Sequence, residues 1–252
     1  WLVFRFIKYY THDRWLALLG VLFVALSIYF AIWQVEGLET PLFGLLILAT
    51  IYLLAKDKNR LAMVFALLCA LCRPDGILLF FAIALVQFLK RKKLAYRANY
   101  LAKIWLWFIV PYLSYFIWRA IYYKSLFPNT FYAKTGLGWI ALREGAIYFK
   151  DFFLAQPAMI FLFVLALALV FQIKKFALWI QALVVFLFSY LIFIFAVGGD
   201  WMPGFRFFIP LLSLFVIIGA IILKNWEEKA KNRAKFSKTY LYLFFIFLCA
   251  LN

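Results

Sequence analysis

The chain has 252 residues, of which 69% are hydrophobic and 23% aromatic, with a mean hydropathy of +0.97; a soluble domain with one core averages about 45–50% apolar residues. The formal net charge is +17, from 27 Lys and Arg against 10 Asp and Glu. The bases stand in short clusters between long apolar runs, a pattern of membrane topology that excludes a nucleic-acid partner and, lacking segments of about ten alternating residues, a transmembrane β-barrel.

In chain order the apolar runs fall at 15–33, 41–55, 61–72, 77–89, 103–123, 157–173, 177–197, 207–223 and 239–252. They predict an all-α, polytopic transmembrane helix bundle with about nine membrane segments. The chain starts at Trp1 and stops inside an apolar run at Asn252, so it reads as a fragment cut at both ends, and its size suits one membrane domain spanning 1–252. Alternating sides from a cytoplasmic start puts 1–14, 56–60, 90–102, 174–176 and 224–238 inside. These connectors and their boundary residues hold most of the 27 bases, against only Asp13, Asp57, Glu227 and Glu228 among the acids. The basic excess therefore sets the orientation, with loops 34–40, 73–76, 124–156 and 198–206 outside.

Runs 61–72 and 77–89 are each shorter than the roughly 20 residues of a straight span. Between them "RPDG", Arg73 to Gly76, holds a proline and a glycine that break a helix. Two short helices meeting in a bend are expected there, buried in protein or lining a wet cavity, because irregular backbone is not tolerated against lipid.

The outer loops collect the chemically interesting residues: "EGLETP" at 36–41, "RPDG" at 73–76, "FPNTFYAKTG" at 127–136 and "GGDWMPGFRFF" at 198–208. Ionisable groups near hydrocarbon are costly and mark function. Each cluster also has a structural reading. Glu39 suits the cap of a helix starting near Pro41, Arg73 and Asp75 suit a mutual ion pair closing the bend, and Asp200 and Arg206 suit a pair bracketing a turn at Pro203-Gly204. Four clusters on one face nevertheless point to a shared pocket. Between them "GWIALREGAIYFKDFF", 138–153, steps Trp139, Leu142, Ala146, Phe149 and Phe153 at helical spacing. That is an amphipathic helix lying on the membrane surface or packed on the protein itself. Trp33, Trp139 and Trp201 suit interface anchors.

Cys69 and Cys72 have CxxC spacing inside an apolar helix, and with Cys249 they read as inert thiols. His12 is the only histidine and cannot form a metal site or a triad alone. No nucleotide-binding or zinc-protease motif is present.

"GLETPLF", "RPDG", "PNTFYAK" and "GGDWMPGFRFF", in this order between apolar helices, resemble a bacterial family of GT-C-fold glycosyltransferases whose relatives include the mycobacterial terminal β-(1→2)-arabinofuranosyltransferases. The likeness runs from about residue 30 to 225. It implies transfer of a sugar, such as a pentofuranose, from a polyprenyl-phosphate donor to a cell-envelope glycan or lipid-linked acceptor at the outer face of the bacterial cytoplasmic membrane. On that resemblance Arg73, Lys134 and Arg206 are the cations for a phosphate, and Asp200, Glu39 and Asp75 are the carboxylates. Asn129, Tyr132 and Trp201 are sugar contacts, and the catalytic candidates are Asp200 and Glu39. The resemblance places the principal base in a first outer loop upstream of this fragment, which implies a fragment inactive by itself. No metal ligands are assigned and no cofactor is fixed, although a divalent cation such as Mg is compatible with the chemistry. The alternatives are a secondary transporter, which calls for inverted repeats that the sequence lacks, and a membrane scaffold without catalysis.

Overall fold

A computed structural model describes residues 1–90, 98–125, 138–231 and 238–251. Among the described residues every regular element is helical and none is a strand. The order is α1 (Leu2–Thr11), α2 (Arg14–Leu26), α3 (Ile28–Val35), α4 (Thr40–Ala55), α5 (Asn59–Cys72), a 3-10 turn (Pro74–Gly76), α6 (Ile77–Leu89) and α7 (Ala98–Tyr123). There follow α8 (Trp139–Ala155), α9 (Ala158–Val170), a 3-10 turn (Ile173–Lys175), α10 (Leu178–Ala196), α11 (Ile209–Lys231) and α12 (Lys238–Ala250).

Every predicted apolar run is helical, but not every run is a span. Ala102–Tyr123, Leu178–Ala196 and Ile209–Lys229 are long and apolar enough to cross a membrane. The count rises to five if the bent pairs α2–α3 and α8–α9 each make one crossing, whereas α4, α5, α6 and α12 are apolar but shorter. Two features depart from the sequence reading. Run 15–33 is broken at Ser27 by a 68° bend. There an extended serine (φ −67°, ψ 113°) accepts the Phe30 N–H on its hydroxyl and restarts the chain as α3. Residues 1–14, read as a plain connector, form α1, whose Val3, Phe6 and Ile7 are buried. Their three- and four-residue spacing is that of one helix face.

Two compact units are found. The first comprises Trp1–Gly44, Phe149–Phe176 and Trp201–Asn252. Its centre is α11, 83% buried over its apolar window and packed against α1, α2, α3, α9 and α12. Small residues let these helices approach: a Cβ at Gly20 of α2 would meet the Ile7 side chain of α1, and one at Gly219 of α11 would come within 2.7 Å of Leu162. Where the apolar surface ends, charge is paired. Lys224 donates to Glu227 at 2.7 Å, and Asp13 caps α2 while accepting from Tyr242 at 2.7 Å.

The second unit comprises Leu45–Tyr148 and Ala177–Asp200. Here α10 packs on α6, α5 packs on both α6 and α7, and Phe80 stacks on Phe108 with ring centroids 4.0 Å apart. The Trp105 indole N–H donates to the Gln87 side-chain carbonyl at 2.7 Å, giving the buried amide inside α6 a partner on α7.

Candidate functional site

The most closely bonded polar group lies at the break between α5 and α6. Pro74 disfavours the helical region for the residue before it, and Arg73 is extended at φ −142°, ψ 137°. The chain then makes one 3-10 turn, with the Gly76 N–H bonded to the Arg73 carbonyl at 2.9 Å, and enters α6. Gly76 is required by space rather than by dihedral, since a Cβ there would collide with the Cys69 carbonyl of the preceding helix. This geometry folds Arg73 back on Asp75. The guanidinium donates through Nε to Oδ1 at 3.1 Å and through Nη2 to Oδ2 at 3.0 Å. The Tyr190 hydroxyl of α10 donates to the same Oδ2 at 2.6 Å. Arg73 and Asp75 are buried and Tyr190 is wholly so. A two-pronged contact, a third donor and removal from water make this a closed clamp that welds the bend to α10.

Of the two readings open for Arg73 and Asp75, the geometry therefore displays the mutual ion pair. Tyr190 was not singled out in the sequence. The available signal was a phenol in the middle of "LFSYLIF", because a tyrosine surrounded by Leu, Ile and Phe must find a partner for its hydroxyl.

The stretch 198–208 is built differently. The backbone leaves α10 through two left-handed glycines, Gly198 at φ 82° and Gly199 at φ 77°, and the Gly199 N–H returns to the Ile194 carbonyl at 3.0 Å. This is the glycine-dependent way of satisfying the last carbonyls of a helix. Gly199 also lies against the Tyr148 ring, where a Cβ would clash. Further on, the expected turn at Pro203-Gly204 is present, with Gly204 at φ 88° and Phe205 at φ 55°. Its anchor is Trp33, whose indole N–H donates to the Gly204 carbonyl at 2.6 Å. The Arg206 guanidinium carbon stands 5.8 Å from the centroid of the Trp33 ring and 5.5 Å from that of Phe207, within cation–π range. Trp33 is 3% exposed; it is a buried support for this turn and not the membrane-interface anchor expected. Trp139 and Trp201, at 87% and 76%, are the exposed ones.

The remaining candidates are placed as follows. Glu39 is half-buried immediately before α4, and its carbonyl accepts the Phe43 N–H at 2.9 Å, so it occupies the expected helix-opening position. Both carboxylate oxygens of Asp200 and the Nε of Arg206 are shielded from solvent. Arg73, Asp75 and Asp200 belong to one compact unit, and Glu39, Trp201 and Arg206 to the other. Asn129, Tyr132 and Lys134 lie outside the described residues. Cys69, Cys72 and Cys249 are free thiols. Among the described residues no group of three or more His, Cys, Asp or Glu side chains is placed to hold a metal ion.

The surface helix is corrected in register along its N-terminal half only. In α8 Gly145 and Phe152 are buried and Ala141 and Tyr148 half-buried; of the expected stripe Trp139, Leu142 and Ala146 are exposed, while Phe149 and Phe153 are half-buried. A Cβ at Gly145 would strike the Phe195 carbonyl of α10, so the glycine sets the contact face. The expected stripe points outward along its N-terminal part, and a second face with the same spacing packs on the protein.

No protein-family model matches the chain, and neither a curated protein nor a solved structure matches it.

Proposed function

We propose that the chain is the membrane portion of a GT-C-type glycosyltransferase that passes a sugar, a pentofuranose for instance, from a polyprenyl-phosphate donor to a cell-envelope glycan or glycolipid. The observation that carries the reading is the occurrence of four polar motifs, in the family's order, along a chain of apolar helices. It is supported by where three of them fall. Glu39 stands before α4, Arg73–Gly76 between α5 and α6, and Gly198–Arg206 between α10 and α11. Work at a membrane–water boundary requires polar groups at helix ends, where backbone is released without exposing it to lipid. In this reading the chain crosses the cytoplasmic membrane about nine times with these turns outside, some crossings being made by paired short helices.

The roles follow from chemistry. Asp200 and Glu39 are the carboxylates that polarise the acceptor hydroxyl as general bases. Arg206, held over two rings, meets the donor phosphate and stabilises it as it leaves. Trp201 offers an exposed ring for the sugar, and Asn129, Tyr132 and Lys134 complete the contacts. Arg73 and Asp75 act through the bend they close, by fixing the ends of α5 and α6.

The test is transfer by the full-length protein in proteoliposomes supplied with polyprenyl-phosphate sugars. Asp200→Asn is expected to lower the rate more than donor binding. Arg206→Gln is expected to weaken donor binding by about 1.5–3 kcal/mol, the scale of a charged hydrogen bond. Transfer at the wild-type level by both folded variants, or no transfer from any such donor by the wild type, rejects the proposal.

A further inference from the structure

A second polar feature adjoins the bend and shares Pro74 with it. Between the bend and α7 there is an open cleft of about 640 Å³, lined on one side by Pro74 and Ile77 and on the other by Tyr112, Tyr115, Arg119 and Tyr123. Among the described residues Arg119 is the only charged one in its lining. All ten acids of the chain lie among the described residues, and none of them lines this cleft. Arg119 is half-buried, four residues before the end of a helix that meets the length and hydropathy of a membrane span. That span is also the barest of the three, with 11% of its apolar window buried against 61% and 83% for the other two. Its outward side chains, among them Val110, Leu113 and Ile117, are suited to hydrocarbon.

A guanidinium in such a place is expensive unless an anion joins it, because a cation brought toward hydrocarbon loses hydration that apolar walls cannot replace. Elsewhere in this unit the problem is solved internally, since Arg73 has Asp75. At Arg119 no acid of the chain lines the cleft, while Tyr112, Tyr115 and Tyr123, each carrying a phenol, line the same space. The complementary ligand is one negative charge with several acceptor oxygens, attached to an apolar body able to lie along the bare face of α7. We infer that this cleft is a binding site for one anionic phospholipid, entered sideways from the bilayer. The phosphate sits on Arg119 and the phenols, and the acyl chains lie along Leu113, Ile117 and Val110. The site is independent of glycosyl transfer and stands or falls separately from that reading.

The probe is brominated phosphatidylglycerol against brominated phosphatidylcholine of identical chains. Each is titrated into the delipidated full-length protein in neutral detergent, and bound lipid is read by native mass spectrometry and by quenching of Trp118, which is exposed on α7. The wild type is expected to prefer the anionic lipid about tenfold, the scale of a charge-assisted contact. Arg119→Gln should reduce the preference to within about twofold, and Arg119→Lys, which keeps the charge, should retain most of it. Arg143→Gln, on the exposed side of α8, should leave it unchanged. Equal binding of the two lipids by the wild type overturns the site. So does an undiminished preference in folded Arg119→Gln, or an equal loss in Arg143→Gln. Full displacement of the lipid by inorganic phosphate shows that the headgroup alone is recognised and overturns the lipid assignment. If the glutamine variant does not fold, the comparison of the two lipids on the wild type and on Arg119→Lys decides the question.

Discussion

The turns at 73–76 and 201–206 use the same kinds of residue, an arginine beside a Pro-Gly or Pro-Asp-Gly element, and are braced in different ways. At 73–76 the acid stands two residues from the base, and one 3-10 turn presses them together, so the charge is closed by hydrogen bonds from Arg73 and Tyr190 inside the protein. At 201–206 the arginine rests against the faces of two aromatic rings, on a turn pinned through its backbone by a tryptophan from α3. The first arrangement spends its charge on holding a shape. The second braces its arginine with ring faces on a turn that a tryptophan indole fixes through the backbone.

The comparison is most sharply broken by unpairing the clamp. Asp75→Asn leaves a buried guanidinium opposite a neutral amide, and the expected loss is about 3–5 kcal/mol. It is read from thermal or SDS unfolding of the full-length protein. The double variant Arg73→Met/Asp75→Leu should recover much of that loss, because an apolar pair of similar bulk has no charge to desolvate. The cation–π contacts of Arg206 are worth under about 2 kcal/mol, so Arg206→Gln should cost less than Asp75→Asn in the same assay. Equal losses for Asp75→Asn and Arg206→Gln would abolish the distinction. Next comes Tyr190→Phe, which removes the third donor to Asp75 and keeps the ring packed between Phe186 and Phe193. The expected cost is about 1.5–3 kcal/mol, the value of a hydrogen bond to a charged group. An unchanged unfolding midpoint would mean that the clamp closes without α10. The smallest effect is expected for Trp33→Phe, which retains a ring beneath Arg206 but loses the bond to the Gly204 carbonyl. A cost of about 0.5–1.5 kcal/mol should appear in unfolding, with faster amide exchange confined to 201–206.

The helices were legible because apolar runs in a chain this greasy have few other ways to satisfy their backbone. Terminal positions such as Cys72, Tyr123 and Ala196 fall within a residue of the runs read from the sequence. What escaped were departures decided by partners remote in the chain. Ser27 sits in a run whose composition gives no warning of a bend. Phe6 and Ile7 were overlooked beneath the basic residues interleaved with them, although their spacing marks a helix face. In α8 two faces have similar periodicity, and only the approach of Gly145 to Phe195 determines which one turns inward. The site was legible as a set of polar turns. Their internal bonds were not, because Tyr190 and Trp33 reach them from helices 115 and 171 residues distant.

The contact of Gly145 with the Phe195 carbonyl has a further consequence, in the timing of synthesis. α8 leaves the ribosome well before α10 exists, and the groove that receives its glycine face is the end of α10. Until that later helix emerges, α8 has no partner for Gly145 and Tyr148. Its outer face, with Trp139, Leu142 and Ala146, is exposed in the finished structure, and a helix with one apolar side is of the kind that can rest at a membrane surface. By chain order alone, then, the glycine face of α8 can close only once α10 has been made, whereas its outer side chains need no later helix.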